Sequence, residues 1–261
     1  MKRIHFLIYS LFFALFVVIL WLKGPIPQDP AYHNFADQRT ILGIPNFWNV
    51  VSNVPMFFLG LYGFGLAFRN FRRRPDFTAQ WIPVVLVFGV FITSFGSAYY
   101  HYFPDNQTLI WDRLPMTLMF MPVFSLLIYD FVTPDWGKWA FLISVPLGLF
   151  SIWYWQYTES IGAGDLRFYA FVQFFPMLIG PVIILLSAKK TGYSQYFWMV
   201  LGWYIAAKCF EHLDAGTFQW LGFWSGHTVK HLIGAVSLYY LLKLMKAWDE
   251  ALVPRDHIVI I

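Results

Sequence analysis

Long apolar stretches separated by short polar ones run the length of this chain. A helix needs about 20 predominantly apolar residues to cross a bilayer. Eight segments approach that length, over 5–22, 47–68, 81–103, 111–131, 137–155, 167–187, 196–213 and 227–247. The pattern predicts an all-α membrane protein. Several segments contain proline (Pro55, Pro83, Pro115, Pro122, Pro146, Pro176, Pro181). Transmembrane helices tolerate this where neighbouring groups re-satisfy the freed backbone. The longest stretch without a helical pattern is 23–46, rich in proline and polar residues. No repeat or low-complexity tract suggests a second folding unit.

Composition agrees with lipid as the solvent. Only 12% of the 261 residues are charged and 59% are hydrophobic, against about a quarter charged in soluble domains. The 13 tryptophans and 15 tyrosines suit membrane interfaces, where one end of the ring is apolar and the other wet. The net charge of +4 does not suggest nucleic acid as a partner, because the basic residues sit in short loops. The single cysteine, Cys209, excludes an intramolecular disulfide and a cysteine-based zinc cluster.

The first segment follows Lys2 and Arg3, as a secretory signal would. The sequence Ile19-Leu20-Trp21-Leu22-Lys23-Gly24-Pro25 offers no small-x-small cleavage site, so residues 1–24 are expected to remain as an anchor helix. Alternating the eight spans from a cytoplasmic N-terminus puts 12 of the 18 basic residues on the inner side and 4 on the outer. The positive-inside rule therefore predicts both termini in the cytoplasm.

This orientation gathers polar residues that are costly in a membrane and so point to function. Ser97 and His101 are four apart near the outer end of the third span, and Asp112 opens the fourth from the same side. His227 and His231, again four apart on one helix face, open the last span from that side too. Three imidazoles with one open position are a catalytic zinc set. In HExxH proteases a glutamate beside the first histidine is the base. Thr228 stands there instead, so Asp112 is the candidate base for the attacking water and Ser97 a candidate oxyanion donor. Lys208, Glu211 and His212 cluster near the outer end of the seventh span. A Lys208–Glu211 ion pair is one reading. The other has Glu211 or Asp214 accept the second N–H of a zinc-binding imidazole.

The order S-x3-H, Asp, then H-x3-H near the C-terminus resembles the membrane hydrolase superfamily of alkaline ceramidases, adiponectin receptors and haemolysin-III-like proteins. Asn46-Phe47-Trp48-Asn49-Val50-Val51-Ser52-Asn53 and Gly226-His227-Thr228-Val229-Lys230-His231 are most similar to the alkaline ceramidase branch, in a bacterial form. The similarity spans about residues 30–250. It implies a seven-helix core over 25–250, one extra N-terminal helix, and a cytoplasmic tail over 251–261. It also implies His101, His227 and His231 as zinc ligands, Asp112 and Ser97 as catalytic residues, and a bacterial inner membrane with the site on the periplasmic side. The implied reaction is hydrolysis of the amide of ceramide, or of another N-acyl lipid, to a fatty acid and a free amine, a step of sphingolipid metabolism. The family's calcium site uses a cluster of acids and amides. Here Asn46 replaces a glutamate and Asp37 is the one acid in the adjoining Phe35-Ala36-Asp37-Gln38-Arg39, too few for a cation that takes six or more oxygens, so calcium is not expected and Asp37 is free to pair with Arg39. The alternative to an enzyme is a receptor-like or regulatory protein with a structural zinc. A transporter is disfavoured, because its ionisable groups would be spread across the bilayer.

Overall fold

A computed structural model describes residues 3–253. These are all-helical, with no strand among them. The helices are α1 (Arg3–Lys23), α2 (Phe47–Val51), α3 (Val54–Arg69), α4 (Phe77–Tyr102), α5 (Leu109–Phe131), α6 (Pro134–Ser160), α7 (Arg167–Leu186), α8 (Ser194–His212), α9 (Asp214–Leu221) and α10 (Gly226–Leu252). Every apolar segment marked in the sequence is helical. Five are long and apolar enough to cross a membrane: α1, α2 with α3, α4, α5 and α7. The others, α6, α8 and α10, are less apolar. Side chains start several helices where the sequence offers caps. Asp76 accepts from Ala79 N, Thr133 from Trp136 N and Ser225 from Thr228 N, satisfying N–H groups that the first turn leaves free.

Two features depart from the sequence pattern. The segment 47–68 is not one helix: it breaks at Ser52–Asn53. Pro55 lacks the N–H that would bond Val51 O, and Asn53 Nδ2 caps the end of α2 by donating to Asn49 O at 2.9 Å and Val50 O at 3.2 Å. The short α9 lies between the segments 196–213 and 227–247, outside all eight of the pattern. Of the tail expected over 251–261, Ala251 and Leu252 are the last residues of α10; residues 254–261 lie outside the described residues.

The main core lies between α4, α5, α7, α8 and α10, around Leu86, Val87, Leu127, Phe197, Leu242 and Leu244. α1 contributes no buried residue. It leans on α7, with Phe13 and Phe16 5.6–5.8 Å from the rings of Phe171 and Phe175. α4 and α5 meet backbone to backbone at Gly96: a Cβ there would stand 1.9 Å from the Trp111 carbonyl oxygen. Their neighbours Ser97 and Asp112 are thereby brought to the same crossing.

The two ends of the bundle differ in chemistry. At one end buried Arg74 donates to Asp249 Oδ1 at 2.7 Å and to Ala67 O at 2.8 Å. There Asn70 holds the other Asp249 oxygen at 2.7 Å, Tyr129 donates to Asp76 at 2.6 Å, and Lys189 pairs with Asp130. α4 leaves this end and α10 returns to it. The far ends of these same two helices carry the histidines.

Candidate metal centre

His101 sits in the last turn of α4, and His227 and His231 in the first turns of α10. The three converge, with their candidate ligand nitrogens all within 4.8 Å of one another. The ring centroids are 4.7, 4.8 and 5.0 Å apart. All three side chains are buried. Gly226 makes this possible. A Cβ on it would lie 2.3 Å from Phe210 O and 2.8 Å from Asp214 Cα, so only glycine lets α10 start this close to the α8–α9 corner.

The neighbours of His231 accommodate a metal-binding tautomer. Ser52 Oγ is 3.1 Å from Asn49 O and 2.7 Å from His231 Nδ1. With the hydroxyl proton donated to the Asn49 carbonyl, the serine oxygen accepts from His231 Nδ1–H. His231 Nε2 is then left with a lone pair, aimed at His101 Nε2 at 3.2 Å. A cation or a proton must lie between two nitrogens so placed. Zinc–nitrogen bonds of about 2.0–2.1 Å at tetrahedral angles set ligand nitrogens about 3.3 Å apart, close to this spacing. The donor set, its burial and the outer hydrogen bond fit a divalent metal bound by imidazole. Ser52→Ala removes the partner that orients His231. It is expected to weaken zinc binding about 10–100-fold, measured by competition with a chromogenic chelator; unchanged affinity would rule out this role for the serine.

Phe35, from the N-terminal loop, lies against this cluster, its ring 4.7 Å from both His101 and His227. Asn46 Nδ2 donates to the His101 backbone carbonyl at 2.9 Å, and Thr228 Oγ1 to Asn49 Oδ1 at 2.8 Å. Asn46, considered above as a calcium residue, therefore holds the end of α4. Asp37 forms the expected ion pair, through two bonds from Arg39 of 2.8 and 2.7 Å, and Arg39 also donates to Phe223 O at 2.6 Å.

Neither acid considered as a partner for an imidazole N–H makes that bond. Asp214 accepts from the backbone, from His227 N at 2.7 Å and Ala36 N at 2.8 Å. Glu211 binds both Lys208 and Lys230 at 2.6 Å. This bears out the Lys208–Glu211 pair and adds a second lysine, whose Nζ lies 3.4 Å from His227 Nε2. Tyr32 completes this group by donating to Glu211 Oε1 at 3.1 Å. Burial, with the Glu211 charge added to it, pushes the Tyr32 phenol well above its usual pKa, so it stays a donor.

Ser97, Asp112 and His231 line one cavity of about 510 Å³. Arg113, Lys208, Glu211 and Lys230 add charge to its wall, and Met119, Val123 and Leu241 continue it in apolar form. Ten residues along α10 separate His231 from Leu241, about 15 Å of helix rise. The cavity therefore runs from the histidines toward the middle of the bundle. Among the described residues no hydrogen bond is made to the Asp112 carboxylate.

Sequence reasoning missed Ser52, Lys230 and Arg113 as parts of this site. Ser52 carried a signal, since it stands in the Asn-rich segment 46–53. Neither a scan of protein-family models nor a search of curated proteins finds a match to this chain.

Proposed function

We propose that this protein is a zinc-dependent amidase of the membrane that cleaves the N-acyl bond of ceramide or a ceramide-like lipid. The observation that carries this reading is the convergence of His101, His227 and His231, the last of which lines a cavity together with Ser97 and Asp112. The proposal includes membership of the alkaline ceramidase branch. On that reading α2 with α3, α4, α5, α6, α7, α8 and α10 form a seven-helix core over 25–250, and α1 is an added anchor. Zinc is the proposed ion because the ligands are three neutral imidazoles. The basic loop at 69–74 favours its end of the bundle as cytoplasmic, which puts the histidines toward the outer, periplasmic face of a bacterial inner membrane.

In this mechanism the apolar stretch of the cavity takes the acyl chain and leaves the amide beside the histidines. Zinc, when bound, supplies Lewis acidity, making a water acidic and polarising the amide carbonyl. Asp112 accepts the proton of the attacking water and then returns it to the departing amine. The Ser97 hydroxyl donates to the carbonyl oxygen as negative charge builds on it. Ser52 keeps the His231 lone pair toward the centre. Bonds balance: one C–N bond and one O–H bond break, one C–O and one N–H form.

The test is release of free fatty acid. Purified, zinc-loaded protein in detergent is expected to liberate fatty acid from at least one lipid among ceramides, N-acylethanolamines and N-acyl amino acids. If zinc is bound and none of these lipids is cleaved, the receptor-like reading with a structural zinc takes its place.

A further inference from the structure

Among the described residues Arg113 has no counterion. It lies in the first turns of α5, more than nine-tenths buried. Its guanidinium is packed among three aromatic rings, with Cζ 4.7 Å from the centroid of Trp155, 5.1 Å from Tyr169 and 5.5 Å from Tyr32. Nη1 is buried without a hydrogen-bond partner. No carboxylate among the described residues lies within ion-pair distance of it. A guanidinium has five N–H donors, and ring faces stabilise its charge without accepting those donors in the way an oxygen does. Burying a charge is costly unless it is paired and hydrogen-bonded. Where a buried cation does have a partner in this protein, the partner is explicit, as with Arg74 and Asp249 at 2.7 Å.

The surroundings say where the missing partner belongs. Arg113 lines the same cavity as Asp112 and His231. Lys208 and Lys230 line it too and share one carboxylate, Glu211. Asp112 is in the wall but makes no ion pair among the described residues. Three acids, Asp29, Asp112 and Glu211, and three cations line the wall, but among the described residues only Glu211 is ion-paired with any of these cations, and Arg113 is paired with none.

The geometry points to an anion subsite: Arg113, reinforced by Lys208 and Lys230, receives a carboxylate or phosphate carried by the N-acyl substrate on the amine side of its amide. This deepens the amidase reading and rests on it. The substrate is then an acidic N-acyl amphiphile, an N-acyl amino acid or a phosphorylated N-acyl amino alcohol, in preference to neutral ceramide. Arginine suits both oxyanions, because its planar fork bonds two oxygens at once. The acyl chain runs down the apolar cavity while the anion stays level with the first turns of α5.

Binding can be measured apart from catalysis. Full-length protein in detergent, stripped of metal so that no probe binds through zinc, is titrated calorimetrically with N-hexadecanoylglycine and with its uncharged isostere N-hexadecanoylglycinamide. A second pair is O-phosphorylated N-hexadecanoylethanolamine and the parent alcohol. The charged member of at least one pair is expected to bind about tenfold or more tightly than its neutral partner. Which pair shows the larger preference distinguishes a carboxylate from a phosphate. Arg113→Gln is expected to abolish the preference while leaving the neutral probe's affinity intact, which also reports a folded protein. Arg113→Lys is expected to keep part of it. Equal binding of both pairs to the wild type overturns the subsite whatever the variants do, as does a preference that survives in Arg113→Gln. The two readings fail separately. Hydrolysis of neutral amides with no anion preference leaves the amidase and removes the subsite. An Arg113-dependent preference with no fatty acid released from any probe by the zinc-loaded protein keeps the anion site and removes the amidase.

Discussion

His227→Ala is expected to lower bound zinc from about one ion per chain to near zero and to abolish amide hydrolysis with it. His227 is one of three imidazoles whose ligand atoms lie within 4.8 Å of one another. Removing it leaves two nitrogens, His101 Nε2 and His231 Nε2, 3.2 Å apart, a set that binds zinc far more weakly than three. Loss of an outer hydrogen-bond partner alone costs about 10–100-fold in affinity, and loss of a ligand exceeds that. The fold should survive. The bond from His227 N to Asp214 at 2.7 Å is made by the backbone and persists in alanine, as does the Ser225 cap on Thr228 N. The measurements are metal content by mass spectrometry and helix content by circular dichroism. Full retention of zinc by folded His227→Ala protein would remove the metal centre from the account.

Asp112→Asn is expected to lower kcat by about 10²–10⁴-fold, the range for loss of a positioned general base, while zinc content stays unchanged. Asp112 lines the cavity with His231 and is not a member of the histidine cluster. Its carboxylate is 8% exposed as a residue and carries no hydrogen bond from the described residues. Its proton-accepting capacity is therefore not consumed by the fold. Asparagine keeps the shape and cannot take the proton. Zinc analysis separates two roles: loss of metal along with activity would make Asp112 a ligand, and unchanged kcat would place the base elsewhere in the wall.

Much of this was legible in the sequence because a bilayer imposes simple demands. Apolar runs had to become helices; seven of the eight are single helices and 47–68 is two. Alternating span directions put His101 at the end of one helix and His227 and His231 at the start of another on the same side, which is how they meet. What was hidden depends on contacts between distant residues. The break at Ser52 reads from Pro55, but its purpose does not, since Ser52 meets His231 across 179 positions. Glu211 was considered for an imidazole and is taken by Lys230, nineteen residues away. Arg113 looked like an ordinary outer-loop charge. Its cage comes from the N-terminal loop, α6 and α7, which no local pattern announces.

The glycine at the α4–α5 crossing has a mechanical consequence. At Gly96 the two helices touch through main-chain atoms, with room for nothing larger than hydrogen. A contact of that kind has no rotamers to explore and gives little when surrounding side chains loosen. Ser97 and Asp112, one residue along on each helix, are therefore hinged to a single rigid pivot. Changes in bilayer thickness that tilt or bend these helices act mainly on their far ends. The distance between the hydroxyl and the carboxylate is thus insulated from the lipid around it, an advantage for a protein that would take its substrate from that same lipid.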